Sequence, residues 1–178
     1  MHIVVLTGSP RQQGTTSLLA DNFVEGAQRG GHTVVRFDAA FREVHPCRGC
    51  NTCQRGVQSC AIQDDMQTLY PDLVRADLVV LVSPLYYHSM SSQLRMVIDR
   101  FRAIDSLLAG SGKQTILLMA GASVVPTVFD GAVATFRETA RYLGWKDRNL
   151  LLAFGCRNRE DIERTNYPER AYAMGREL

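Results

Sequence analysis

The sequence predicts an α/β protein, a three-layer sandwich built on a doubly wound parallel sheet of five strands in the order 2-1-3-4-5. Three observations carry this. Strand-like apolar runs and helix-period segments alternate five times along the chain. The runs at 2–7 and 78–82 are almost unbroken in apolar residues, the mark of strands buried on both faces. A length of 178 residues suits one domain with a substantial core, taken here as 1–178, and no stretch reads as a linker or a repeat.

The first strand covers 2–7. Over 16–29 apolar residues recur at helical spacing (Leu18, Leu19, Phe23, Ala27), and Gly30-Gly31 stops the helix. A second strand covers 33–37. Residues 39–62 form a long irregular excursion holding four of the five cysteines, too cysteine-rich for an idle linker. Asp64-Asp65-Met66 opens the next helix with carboxylates at its positive end. That helix runs to about Arg75, with Pro71 as a kink or break. The third strand lies in 77–83, a loop over 83–89 follows, and Ser91 or Ser92 caps a helix to about Ala103. Residues 114–119 form the fourth strand and 120–123 a Gly/Ala/Ser-rich loop. A helix over about 127–143 is ended by Gly144. The fifth strand is 150–154, followed by a turn over 155–158 and a short terminal helix over about 168–177.

A net charge of +2 and the lack of any lysine–arginine tract argue against nucleic acid or an anionic membrane as partner. No apolar stretch approaches the ~18 residues of a membrane span, and no basic leader with a cleavage site precedes the first strand. A cytoplasmic protein is expected. Five cysteines fit poorly with a secreted disulfide framework, and four of them fall within fourteen residues. In a reducing compartment such crowding argues for metal or redox chemistry.

The stretch 6–17 reads as a phosphate cradle. An apolar strand ends in a turn with the Ser9, Thr15, Thr16 and Ser17 hydroxyls, the Arg11 guanidinium and flexible Gly8 and Gly14, and then becomes a helix. Free N–H groups and the dipole at a helix start favour an anion. A nucleoside-triphosphatase loop would need Gly-Lys-Ser/Thr where Gly14-Thr15 stands, and the Gly-x-Gly-x-x-Gly fingerprint is missing. A hydroxyl-rich loop with little lysine suits a phosphate monoester, as in flavin mononucleotide (FMN). A plain strand-to-helix turn would need only one capping hydroxyl, from Thr15 or Thr16.

In the order 2-1-3-4-5 the loops at the topological switch are 8–17 and 83–90. Pro84, Leu85, Tyr86 and Tyr87 offer an apolar, partly aromatic wall for a flat heterocycle. Gly121, Ala122 and Ser123 leave the fourth strand on the same edge and can close over the ring's polar rim. His88 reads as a solvated loop histidine, and Asp99-Arg100 as a surface or intersubunit ion pair. Cys47-x-x-Cys50-x-x-Cys53, followed by Cys60, can converge on one four-iron cluster, with Gly49 and Gly56 giving the loop freedom. A structural zinc is a rival, as are free thiols or a redox disulfide. Cys156 stands alone and reads as a packing residue.

These motifs match a family. Ser9-Pro-Arg-x-x-Gly-Thr-Thr-Ser17, Ser83-Pro-Leu-Tyr86 followed by Gln93-Leu-Arg95 and Asp99-Arg100, and the cysteine run leading into Asp64-Asp65-Met66 resemble the flavodoxin-like NAD(P)H-dependent FMN reductases, and within them the iron-sulfur flavoproteins. The resemblance extends over nearly the whole chain, to Gly155 and Asp161-Ile162. It implies a flavodoxin fold, bound FMN, NAD(P)H as co-substrate, and a homodimer or dimer of dimers with the active site near the subunit interface. It also implies a [4Fe-4S] cluster on Cys47, Cys50, Cys53 and Cys60. By position, Ser9, Arg11, Thr15, Thr16 and Ser17 would hold the phosphate, with Gly14 in the same cradle. Pro84, Leu85, Tyr86 and Tyr87 would line the isoalloxazine. The third loop departs from the family's glycine-rich form at Ala122 and Ser123, which puts the contacts of Gly121 and Ser123 in doubt.

The expected activity is that of an FMN-dependent oxidoreductase. Electrons would come from NAD(P)H or a ferredoxin-like protein and pass to a small-molecule or protein acceptor. The sequence contains no evident acid–base triad, and flavin chemistry requires none. Two other classes remain: a non-enzymatic flavodoxin-type carrier, for which a net charge of +2 offers no acidic docking face, and a thiol redox sensor. A sensor with a decayed flavin site would not need the full hydroxyl set of residues 9–17.

Overall fold

The structure, a computed structural model, describes residues 1–55 and 59–178; Gly56 of the cysteine loop lies outside the described residues. Five parallel strands form the sheet: β1 (His2–Thr7), β2 (Thr33–Asp38), β3 (Leu78–Tyr86), β5 (Gln114–Ala120) and β6 (Lys146–Ala153). The short β4 (Ser89–Met90) pairs antiparallel with β3. The order β2-β1-β3-β5-β6 is the predicted 2-1-3-4-5 once β4 is set aside. In register, Val4 lies between Val35 and Val79, and Leu81 between Leu6 and Leu117.

Burial follows position in the sheet. The apolar residues of β1, β3 and β5 are almost all buried, because these central strands are covered on both faces. β6 begins four residues before the predicted 150, in Lys146, Asp147, Arg148 and Asn149, all exposed. An edge strand tolerates polar side chains in its outer half, so hydropathy missed it.

Two helical layers cover the sheet. α1 (Thr15–Arg29), α6 (Arg159–Glu163) and α7 (Tyr167–Arg176) pack on one face through Leu19, Phe23, Ala27, Ile162 and Ala171. α2 (Met66–Arg75), α3 (Ser92–Asp99), α4 (Asp105–Leu108) and α5 (Asp130–Leu143) cover the other through Leu69, Leu94, Leu108 and Phe136. α1 and α7 cross closely because a Cβ on Gly26 would run into the Tyr172 carbonyl. Among the described residues no helix is long and apolar enough to cross a membrane.

Several expectations are corrected. Pro71 does not break α2, which runs unbroken from Met66 to Arg75. It lies on the exposed side, where water can take up the Gln67 carbonyl that it leaves without an N–H partner. The helix expected to reach Ala103 stops at Asp99, gives way to a 3₁₀ turn at Arg100–Ile104, and resumes as α4. Residues 83–86 belong to β3 rather than to a loop. α6 was missed, although its capping box of Asn158 and Asp161 is written in the sequence.

Candidate functional site

β1 delivers the chain to the carboxyl edge of the sheet, and α1 leaves it there. Gly14 occupies the N-cap position, no side chain caps the helix, and its first turn holds no acidic residue. Neither Thr15 nor Thr16 is spent on capping, so the helix start is open to an external anion. The loop folds around one carbonyl. Arg11 O accepts from Gly14 N at 3.2 Å and from the Ser17 hydroxyl at 2.9 Å, while Arg11 N donates to Ser9 Oγ at 3.1 Å. The Ser9 hydroxyl donates to the same carbonyl at 3.3 Å; each serine has a single hydroxyl proton and gives it to Arg11 O, so both shape the loop from within. Ser9, Arg11, Gly14 and Thr15 stand on the wall of a cavity, joined by Gln13; the expected Thr16 and Ser17 are buried and off that wall.

That cavity has a volume of about 350 Å³ and collects residues from the carboxyl end of β3 and from the loops after β1, β5 and β6. Pro84, Leu85 and Tyr86 give the wall its apolar part, together with Gly121 and Ala122. Gly121 packs closely: a Cβ there would sit 3.2 Å from both Leu85 Cδ2 and Phe129 Cζ, so those side chains would have to shift by a few tenths of an ångström. Besides Thr16 and Ser17, two expected residues lie elsewhere. Tyr87 is fully exposed at a turn and off the wall. Ser123 is also off it, with its Oγ accepting from Val125 N at 3.1 Å to brace its own loop.

Cys156, Arg157, Asn158 and Arg159 complete the wall and were not anticipated as site residues. The signal was topological: the loop after the last parallel strand leaves at the same carboxyl edge as the others. Cys156 is also a packing residue, 3% exposed, and burial, with the Asp161 charge, pushes its thiol up.

The cysteines form a second centre. Cys47, Cys50, Cys53 and Cys60 line one small cavity of about 30 Å³ and are free thiols. Among the described residues no three ligating side chains converge tightly enough to hold a single ion. Donors already face the sulfurs: Thr52 Oγ1 at 3.4 Å from Cys50 Sγ, and Ile62 N at 3.5 Å from Cys60 Sγ. Hydrogen bonds from the Thr52 hydroxyl, and then from its backbone, hold the Cys50 thiol below its ordinary value.

Beneath this cavity lies the pair that sequence reading placed wrongly. Arg100 is not a surface partner of Asp99, which instead lies 3.6 Å from Arg95. It is 1% exposed and grips the buried Asp64 carboxylate with both terminal nitrogens, at 2.6 and 3.0 Å. The same guanidinium donates to His45 O at 2.8 Å and Ile62 O at 3.4 Å, one on each side of the cysteine run. Asp64 accepts from His45 N and Asp65 from Glu43 N, both at 2.9 Å. Burial alone would raise the Asp64 carboxyl, but the Arg100 and His45 hydrogen bonds outweigh it and hold it below its usual range. The two aspartates therefore close the foot of the loop rather than merely facing a helix dipole.

An open, doubly wound parallel sheet with a ligand-sized cleft at its topological switch defines a flavodoxin-like α/β protein. Within that class, residues 1–144 match the NADPH-dependent FMN reductase family, and the chain belongs to it. It is 34% identical over 104 residues to an iron-sulfur flavoprotein of Methanocaldococcus jannaschii, covering 58% of this chain and 53% of the relative. It is 30% identical over 100 residues to an iron-sulfur flavoprotein of Methanosarcina thermophila, covering 56% and 52%. The chain thus spans about half the length of the curated relatives it matches. Solved structures share the fold. The NAD(P)H:quinone oxidoreductase of Methanothermobacter marburgensis superposes with a TM-score of 0.74 at 18% identity, covering 100% of this chain and 96% of that one. An FMN-dependent NADH-azoreductase of Bacillus anthracis, in complex with FMN, gives 0.71 at 12% identity, covering 99% and 98%.

Proposed function

We propose that this protein is an FMN-dependent oxidoreductase that takes electrons from NAD(P)H and passes them to a small-molecule or protein acceptor, with an iron-sulfur cluster on its four-cysteine loop. One observation carries the flavin: a single cleft is lined both by an uncapped helix start and by an apolar, partly aromatic stretch. That combination suits a molecule that joins a phosphate to a flat heterocycle. Arg11, Gly14 and Thr15 would hold the phosphate, with Ser9 and Ser17 keeping the loop in shape. Pro84, Leu85, Tyr86 and Gly121 would exclude water from one side of the ring and fix its orientation. When bound, FMN supplies the redox chemistry, so the chain needs no acid–base residue of its own.

The cysteine cavity suits a cluster on two grounds. Its donor set is four thiols, the preferred ligands of iron-sulfur groups, spread around a shared space rather than focused on one ion. Arg100, on the wall of that cavity, also has a buried Nε without a hydrogen-bond partner among the described residues. A buried N–H of this kind is a donor awaiting an acceptor, and a sulfur in the cavity would serve. Cys47, Cys50, Cys53 and Cys60 would ligate the group, while Arg100 would place positive charge beside it. A ferredoxin-like donor or acceptor and assembly as a homodimer or dimer of dimers belong to the same reading.

Anaerobically purified protein tests it, with the absorption spectrum recorded and iron, zinc, acid-labile sulfide and FMN assayed on one sample. The expected result is flavin bands, about one FMN and roughly four irons per chain, and oxidation of NADH or NADPH when an acceptor is added. Flavin without iron or sulfide removes the cluster and leaves the reductase. Zinc in place of iron makes the loop structural, and absence of flavin overturns the reading of the cleft.

A further inference from the structure

A guanidinium carries five N–H groups, and in Arg100 the four on the terminal nitrogens all meet protein oxygens. Nη1 donates to His45 O at 2.8 Å and to one Asp64 carboxylate oxygen at 2.6 Å. Nη2 donates to Ile62 O at 3.4 Å and to the other carboxylate oxygen at 3.0 Å. The fifth, on Nε, is buried and has no acceptor among the described residues. Buried donors are paired almost without exception, so this one marks an acceptor that comes with whatever fills the adjoining cavity.

The ion pair is also oriented. Arg100 stands on the wall of the four-cysteine cavity and Asp64 does not, so the positive member meets the thiols while the carboxylate is set back from them. The other charged residues on that wall, Arg48, Arg102 and Asp99, are exposed, and water and salt screen them. Among the described residues Arg100 is thus the one charge on the wall that acts from a buried, low-dielectric position. It reaches the sulfurs by a second route as well. Ile62, whose carbonyl it holds, donates its own N–H to Cys60 Sγ at 3.5 Å, so the guanidinium also steadies the backbone donor of one thiol.

We propose that Arg100 sets the reduction potential of the iron-sulfur cluster, raising it through an Nε–H hydrogen bond to a cluster sulfur and an unscreened positive charge, while Asp64 holds that charge in check. This inference rests on the cluster reading of the cysteine loop. Reduction adds one electron and no atom, so the group becomes more negative by one charge. A buried cation and an N–H aimed at sulfur both favour that more negative form. The two members of the pair therefore act on the potential in opposite senses.

The test is a redox titration of the anaerobically purified holoprotein, with the reduced cluster followed by electron paramagnetic resonance and the flavin by absorption. Arg100→Met with Asp64→Leu removes the donor and its charge, keeps the net charge and leaves no stranded carboxylate. Its cluster should be about tenfold harder to reduce, a fall of about 59 mV for a one-electron couple. Asp64→Asn leaves Arg100 in place and uncompensated, and should raise the potential instead. Arg100→Lys keeps the charge but lacks the Nε–H, and should give a smaller fall than the double variant. The flavin potential should stay at the wild-type value in all three, because neither residue lines the flavin cleft. Unchanged cluster potentials overturn the proposal and leave Nε to a water molecule. Shifts of one sign in the double variant and Asp64→Asn also overturn it, since a purely structural pair would only loosen the loop, as do equal shifts of cluster and flavin. If the double variant retains no cluster, Arg100→Lys decides by the same fall or its absence. Wild-type protein without iron and sulfide fails the cluster reading itself, and the inference falls with it.

Discussion

Arg100→Ala should destabilise the protein by about 3–5 kcal/mol, the usual loss when one partner of a buried ion pair is removed. The substitution strands the Asp64 carboxylate, wholly buried and no longer compensated. It also frees the carbonyls of His45 and Ile62, so both feet of the cysteine loop lose their anchor. The denaturation midpoint in urea should drop sharply, and protease should cut within 43–63 under conditions where the wild-type protein resists. The double variant Arg100→Met with Asp64→Leu should recover much of the loss, because an apolar pair leaves no stranded charge. A single variant as stable as wild type would mean that the pair holds nothing in place.

The same pair sets a pH dependence. Asp64 titrates below its ordinary value in the folded protein, so the folded state favours its ionised form. Its contribution is therefore fully present above about pH 4, the unfolded value, and is lost as pH falls through the lower folded value. Stability should decline across that acid range, and Asp64→Asn should flatten the decline while lowering stability at pH 7.

Gly8→Ala should weaken FMN binding about tenfold or more, the equivalent of about 1.4 kcal/mol, by moving the loop after β1. Gly8 N donates to Val82 O at 2.9 Å, and Gly8 O accepts from Ser91 Oγ. A methyl group there would run into that same hydroxyl and come within 2.7 Å of Leu94 Cβ. Ser91 and Leu94 are fully buried and have nowhere to go, so the loop must give way. Flavin-fluorescence titration of the apoprotein measures the affinity, and urea denaturation should report a parallel loss of about 1–3 kcal/mol from overpacking. Unchanged affinity together with the full stability loss would separate this loop from the flavin.

Much of this architecture is written locally. The strands β1, β3 and β5 are legible because a strand buried on both faces has to be apolar throughout, and α1 because its apolar stripe ends at two glycines. The alternation of strand and helix then leaves few topologies, and the carboxyl edge of the sheet marks where the loops after β1 and β3 must meet. The hydroxyl-rich loop and the cysteine spacing were likewise visible, because they depend on residue type at short range.

Tertiary structure decided what depends on partners distant in sequence. Asp64 and Arg100 stand 36 positions apart, and each alone looks like an ordinary surface charge; only packing buries them together. Arg157 and Asn158 reach the cleft because β6 ends beside β5, a pairing that local sequence does not encode. Tyr87 lies off the cleft wall at an exposed turn because β4 folds back on β3, and two paired residues are too weak a pattern to read in advance. Sequence by itself determined the fold, the hydroxyl-rich loop after β1 and the thiol set, since short-range periodicity and residue chemistry suffice for these. Which charges are buried, which hydroxyls only shape their loop and which tyrosine faces solvent were decided by long-range contacts, because burial and hydrogen-bond partners exist only once the chain has folded.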